Sequence, residues 1–308
     1  MPSTNRIMFA TMLLLLCAAC TTRADDSASS ADAPDARHNF GVFTNPEPVT
    51  IEGYSQDAME PFVSPDGQYL FFNNSNSAPT TNLYYATRID DVTFQYVGEI
   101  VGANQPGALT AVASIDINNI FYFVSNRSYG QTFSTIYSGM FSNGSLSNVA
   151  LVQGVSKDKL GDVNFDQCIS QDGGTLYFVD GIFNGGAVPK AASIAIARRN
   201  GDHFVRLKNS ARIMRKINTH DLNYAPDVSK SGLEFFFTRI PIQNSQPKPP
   251  PVIYTATRSS TSKPFGAPRK IAAITGFAEA PALSPDEKSL YFHLNVSGTF
   301  VIYRVTRP

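Results

Sequence analysis

From Phe43 onward the chain reads as short apolar runs broken by small polar turns, and the runs recur in a fixed order. One unit runs Glu60-Pro61-Phe62-Val63-Ser64-Pro65-Asp66-Gly67, then Leu70-Phe71-Phe72, then Leu83-Tyr84-Tyr85-Ala86-Thr87-Arg88. The last unit repeats it as Ala280-Pro281-Ala282-Leu283-Ser284-Pro285-Asp286, Leu290-Tyr291-Phe292 and Ile302-Tyr303-Arg304-Val305-Thr306-Arg307. Three more lie between, around Phe121-Tyr122-Phe123, Leu176-Tyr177-Phe178 and Phe235-Phe236-Phe237. The third apolar residue of each second run falls at 72, 123, 178, 237 and 292, a spacing of 51 to 59 residues. That period suits a four-stranded propeller blade with insertions.

Each run has a place in such a blade. The first carries small and apolar residues that can crowd near a central axis. Asp66-Gly67 and Asp172-Gly173 then predict tight hairpins, in which Gly supplies a positive φ. A less regular outer strand is predicted at Thr93–Ile100, Leu146–Val152, His203–Leu207 and Ala267–Ala272. The fifth unit ends at Arg307 and lacks its outer strand, while Phe43–Ile51 resembles Phe265–Ile271. The leading segment is therefore expected to fill the last blade, closing the ring and removing open sheet edges. The expected fold is all-β, a five-bladed propeller over residues 40–308. No helical periodicity longer than about three turns competes with it beyond the N-terminus.

The pattern Ser-Pro-Asp-Gly, Leu-x-Phe, Ile-Tyr-x-x-x-Arg resembles the PD40 (WD40-like) repeat of TolB-type propellers. Ile217-Asn218-Thr219-His220 through Pro226 is similar to a lead-in of PD40 lipoproteins. This resemblance implies a fold and, by analogy with TolB-type interaction hubs, a binding module. It does not imply one activity, because a fold hosts many.

The N-terminus changes the picture of address. Arg6 precedes an uncharged run, Ile7 to Ala19, too short to span a membrane, ending in Cys17-Ala18-Ala19-Cys20. Small residues before a Cys resemble the bacterial lipobox, which implies a signal peptide over residues 1–19 and lipidation of Cys20. Ordinary cleavage after Ala24 is the alternative. Thr21 after the Cys implies an outer-membrane address facing the periplasm. Residues 20–39 are small and polar, a flexible tether. Formal charge is zero, with 25 basic and 25 acidic residues, and gives no reason to expect nucleic acid. Of three cysteines only Cys168 would remain free, expected as a buried thiol. A monomer is expected.

Candidate chemistry is sparse. No Gly-x-Ser-x-Gly, His-Glu-x-x-His, Cys-x-x-Cys or Walker-type loop occurs. His38, His203, His220 and His293 are dispersed and read singly as surface or strand residues. The carboxylates near the starts of the inner strands are Asp57, Glu60, Asp162, Asp166, Asp221, Asp227 and Glu279, and with Tyr224 they form a candidate rim around the axis. Tyr54 and Tyr129 are further rim aromatics that could stack on a sugar or peptide. Five-bladed propellers include glycoside hydrolases with acids at such places, where one carboxyl must be protonated and another ionised. If this chain is an enzyme, its pair is expected among Glu60, Asp166, Asp227 and Glu279, at the base of an open pocket. An apolar plug on the axis would argue the opposite. Asp162–Asp166 starts like a calcium loop, but Gln167 replaces the required Gly, so no metal site or cofactor is expected beyond an axial Ca2+ of other geometry. Gln243–Pro251 reads as a stiff extended insertion.

The leading expectation is an envelope-tethered binding module for a protein, peptide or glycan. A glycan-active hydrolase is the first alternative, and a structural envelope lipoprotein without a small-molecule ligand the second.

Overall fold

The computed structural model describes residues 40–76, 79–186 and 188–308. The signal segment, Cys17, Cys20, Ala24, His38 and the tether lie outside them. The first two strands are β1 (Thr44–Pro48) and β2 (Thr50–Glu52). Blade 1 then runs β3 (Met59–Val63), β4 (Tyr69–Asn73), β5 (Leu83–Arg88) and β6 (Thr93–Glu99). Blade 2 is β7 (Thr110–Ile115), β8 (Ile120–Ser125), β9 (Ile136–Ser142) and β10 (Ser145–Leu151), with a turn of helix α1 (Tyr129–Thr132) above it. Blade 3 is β11 (Asp162–Ile169), β12 (Thr175–Ile182), β13 (Ala191–Asn200) and β14 (His203–Arg206), followed by helix α2 (Ser210–Ile213). Blade 4 holds β15 (Leu222–Val228), β16 (Glu234–Ile240), a small hairpin β17 (Ile242–Gln243) and β18 (Gln246–Pro247), then β19 (Val252–Thr257) and β20 (Arg269–Lys270). Blade 5 is β21 (Ala278–Leu283), β22 (Ser289–Val296) and β23 (Thr299–Thr306). The predicted insertion is thus partly a hairpin, and the outer strand of blade 4 is two residues long.

Blade 5 is completed as expected. Its strand order is β1-β23-β22-β21, with Thr44 opposite Thr306, Glu47 opposite Arg304 and Pro48 opposite Tyr303. The leading segment does one thing more than predicted. After Val49 it crosses to blade 1, where β2 pairs parallel with β6, Ile51 opposite Phe94. Phe43–Ile51 is therefore a clasp held by two blades rather than the outer strand of one.

The repeated residues pack between blades. Five apolar clusters separate successive blades, and the third residue of every second run, Phe72, Phe123, Phe178, Phe237 and Phe292, is buried in one of them or beside it. Full burial of each such ring contributes about 1.5–3 kcal/mol. The hairpins between the first two strands all need a positive φ at one place. Gly67 and Gly173 take it at 72°, and Gly232, Asn119 and Glu287 serve the other blades.

The repeat arginine is an inter-blade tie. Arg199 donates from Nε to the Gly173 carbonyl at 2.7 Å and from its other end to the Tyr122 hydroxyl of the preceding blade. Arg258 does the same with Gly232 at 2.7 Å and Tyr177 at 3.0 Å, lying over the Phe265 ring. Blade 4 carries Phe236 where its neighbours have Tyr, so Arg307 of blade 5 pairs instead with the buried Glu234, at 2.8 Å.

Candidate functional site

Every inner strand is broken at one place. Glu60, Val112, Asp166, Ala225 and Ala280 all have positive φ, between 44° and 57°, and the ladder slips around each of them. These are β-bulges, which re-aim side chains. Proline follows in three of the five (Pro61, Pro226, Pro281), where no ladder hydrogen bond is lost. The bulges line an axial cavity of 30 Å³, together with Phe62, Ala113, Gln167, Cys168 and Asp227. About two waters would fill it. The axis is thus neither the open pocket nor the apolar plug set out as alternatives, but a narrow cavity of mixed lining.

The bulges also turn peptide N–H groups toward the next blade, and much of the axial chemistry answers them. The Glu60 N–H donates to His293 Nδ1 (3.1 Å), that of Val112 to Asn73 Oδ1 (3.3 Å), and that of Ala280 to Thr238 Oγ1 (3.0 Å). Blade 3 has the apolar Val179 at the corresponding acceptor position. There the Ala225 N–H donates to Asp166 Oδ2 at 3.1 Å. Asp227 acts one step further along, accepting the Leu283 N–H at 2.5 Å and the Cys168 thiol at 3.2 Å. Cys168 is buried as predicted, yet it is a donor to a carboxylate rather than a purely apolar filler.

At the bulges and just before them the structure gathers Glu60, Asp166, Glu279 and Tyr224 from blades 1, 3, 5 and 4. Glu279 accepts the Tyr224 hydroxyl on Oε1 and His293 Nε2 on Oε2, the latter at 3.2 Å. An acceptor role for each oxygen is the hydrogen-bonding pattern of a carboxylate. Glu60 Oε1 accepts from Asn76 Nδ2 at 3.0 Å. Burial, with the charge of Glu279 adding to it, raises the Glu60 pKa against the opposing pull of His293 and Asn76. Burial and then Glu60 push Asp166 well up, and its Oδ1 has no hydrogen-bond partner. Burial and the Glu279 charge likewise raise Tyr224, which keeps its hydroxyl a donor.

His293 was expected to be one of four unremarkable histidines, and the structure corrects that reading. Burial lowers its pKa, but the Glu279 hydrogen bond and the charges of Glu60 and Glu279 outweigh this and raise it. Because Nδ1 accepts the Glu60 N–H, the ring proton sits on Nε2 and is donated to Glu279. A second proton would break the bond to Glu60. Asn76 was also missed. The sequence did carry a clue to the bulges, since a Pro inside a strand pattern marks an edge or a bulge.

The other rim candidates stand apart from this cluster. Asp57 accepts the Phe300 N–H at 2.9 Å. Asp162 caps Tyr129 through its carbonyl, at 3.0 Å. Asp221 holds the blade 4 insertion by accepting the Ile242 N–H at 3.1 Å, with Arg239 beside it. Tyr129 is buried and Tyr54 packs on Phe72, Tyr84 and Tyr96, so neither is a freely exposed platform. Among the described residues no group of three or more His, Cys, Asp or Glu is arranged to hold a metal.

Asp227 supplies a pH test. Burial pushes its pKa up to about 6, whereas an unfolded Asp titrates near 3.9. A folded value above the unfolded one means the stabilisation is complete below about pH 4 and is lost as pH rises through about 6. Asp227→Asn keeps an acceptor for Leu283 and removes this titration. Measured by denaturant unfolding, wild-type stability relative to Asp227→Asn is expected to fall by about 3 kcal/mol between about pH 4 and pH 7.

No family model matches the chain, and no curated protein matches it. Solved structures do. An endo-arabinase from Bacteroides thetaiotaomicron is 12% identical, with a TM-score of 0.54 over 85% of this chain and 98% of that one. Zg3597, a family 117 glycoside hydrolase from Zobellia galactanivorans, is 11% identical, with a TM-score of 0.54 over 87% and 91%. TolB from Acinetobacter baumannii gives a TM-score of 0.43 at 13% identity over 82% and 55%, too slight a likeness to support the TolB-type family suggested by the repeats. What these likenesses establish is the fold: the chain is a five-bladed β-propeller.

Proposed function

We propose that this propeller acts on a glycan by general acid–base hydrolysis at the upper end of its axis. Glu60 protonates the departing glycosidic oxygen, and Glu279 takes the proton of the water that attacks the anomeric carbon, so the broken glycosidic bond is replaced by a bond to the water oxygen. The observation that carries the reading is the meeting of carboxyl groups from three blades in one buried network with opposed tendencies. Burial favours the protonated form of Glu60, while Tyr224 and His293 both donate to Glu279. A carboxyl pair with separated protonation states is what glycosidic hydrolysis requires. The shared fold of an endo-arabinase and a family 117 glycoside hydrolase supports the same substrate class. The axial cavity is too small for a sugar ring, so the reacting residue would sit over Glu60 at the mouth rather than inside the channel.

The test is reducing-end release from a panel of glycans by wild type, Glu60→Gln and Asp166→Asn. Release by wild type that Glu60→Gln abolishes supports the proposal. No release from any glycan by a folded wild type overturns it.

One observation favours a second reading. Asp166, Asp227 and Glu279 already accept hydrogen bonds across blade boundaries, so they also lock the ring. In that reading the acids are structural and the rim binds a glycan, peptide or protein without turnover. With a lipid on Cys20, either activity would be exercised at the cell envelope. Fatty-acid labelling of wild type but not of Cys20→Ser tests the anchor.

A further inference from the structure

The upper rim, where the inner strands begin, carries an uneven charge. Lys159 lies on the connection leading into β11, the strand of Asp166. Lys190 closes the loop between β12 and β13, and Lys248 stands on the blade 4 insertion. Backbone and side-chain bonds draw these segments together. The Phe183 N–H donates to the Gly161 carbonyl at 2.9 Å, Asn218 bonds both backbone groups of Ile194 at 2.8 Å, and Arg239 reaches the Ile217 carbonyl at 2.6 Å. All three cations are exposed, and no described carboxylate forms an ion pair with any of them. The acids nearby are largely engaged. Asp180 is taken by Arg206 and by Lys157 at 3.0 Å, and Asp221 lies beside Arg239, leaving exposed Asp158 and half-buried Asp162. In a chain of zero formal charge this arc is a local excess of positive charge.

We infer that the glycan is acidic, and that Lys159, Lys190 and Lys248 hold its anionic groups across the upper rim of blades 3 and 4. This rests on the glycan reading above and adds the substrate class to it. A neutral sugar meets such an arc only through hydrogen bonds to its hydroxyls, whereas a polymer with a carboxylate or sulfate on successive residues meets several cations at once. Each exposed charge contributes little singly. Several facing one polyanion raise its local concentration and its rate of encounter, and salt weakens the effect.

The full chain is assayed for binding to polygalacturonate, dextran sulfate and neutral dextran. Anionic polymer is expected to bind and dextran not, with affinity falling at least about tenfold from about 50 mM to about 500 mM NaCl. Polygalacturonate alone binding identifies carboxylates, and dextran sulfate alone identifies sulfate esters. The triple variant Lys159→Glu, Lys190→Glu, Lys248→Glu should lose about tenfold in affinity or more at an unchanged melting temperature. Lys263→Glu, at the opposite rim, should lose none. Equal binding of dextran, an unaffected triple variant, or binding to anionic vesicles with no binding to either anionic polymer overturns the inference. Hydrolysis of a neutral glycan that survives the triple change but not Glu60→Gln would defeat this inference and leave the hydrolase reading standing. Acidic-glycan binding without turnover would do the reverse.

Discussion

Glu60→Gln is expected to lower glycan turnover by about two to four orders of magnitude, the usual contribution of a positioned proton donor. The fold should tolerate the change. Gln retains an oxygen for the Asn76 amide, and the hydrogen bond to His293 comes from the backbone N–H of residue 60, which is unaltered. The substitution also removes a group whose charged form burial disfavours. Loss of turnover at an undiminished melting temperature would separate chemistry from scaffold. Glu279→Gln is the contrasting control. Its two oxygens accept from Tyr224 and His293, and an amide can accept only one of these bonds, so a loss of about 1–3 kcal/mol in stability is expected as well. If Glu60→Gln retains full turnover, residue 60 is not the acid.

The second large effect concerns ring closure. Arg307→Met is expected to destabilise the protein by about 3–5 kcal/mol, because it strands the Glu234 carboxylate in a buried site. The guanidinium also ties the Glu287 carbonyl at 2.7 Å and lies over the Phe43 ring, so it links blade 5, blade 4 and the clasp. The double variant Glu234→Met, Arg307→Met should recover much of the loss, since well-packed apolar pairs often replace buried ion pairs without cost. Denaturant unfolding of the two variants measures both numbers. A single variant as stable as wild type would show that the clasp closes without this tie. The equivalent change at Arg258 meets a neutral Tyr177 hydroxyl instead of a carboxylate, so it should cost less.

The repeat, the number of blades and the use of the leading strand were legible because each is written in short-range terms. Alternation along Leu70-Phe71-Phe72, a glycine at the turn position of Asp66-Gly67, and a fifth unit short of its outer strand all require only local pattern and a count. Even the split of the clasp at Val49 changes its second partner without changing the closure. The candidate acids were legible as a set for the same reason, since each stands near the start of an inner strand.

What the sequence could not sort was which of them meet. Glu60 and His293 are 233 residues apart, and nothing local distinguishes His293 from the half-buried His203 or the exposed His220. By itself the sequence determined that five sheet-forming units close into a ring. Only the tertiary structure decided that Glu60, Asp166, Glu279, Tyr224 and His293 share one buried network while Asp57, Asp162 and Asp221 serve the loops. The physical reason is that a strand's pattern depends on neighbours two residues away. The charge state and partners of an axial side chain depend instead on what the other four blades place opposite it, through bulges that rotate the chain at a single residue.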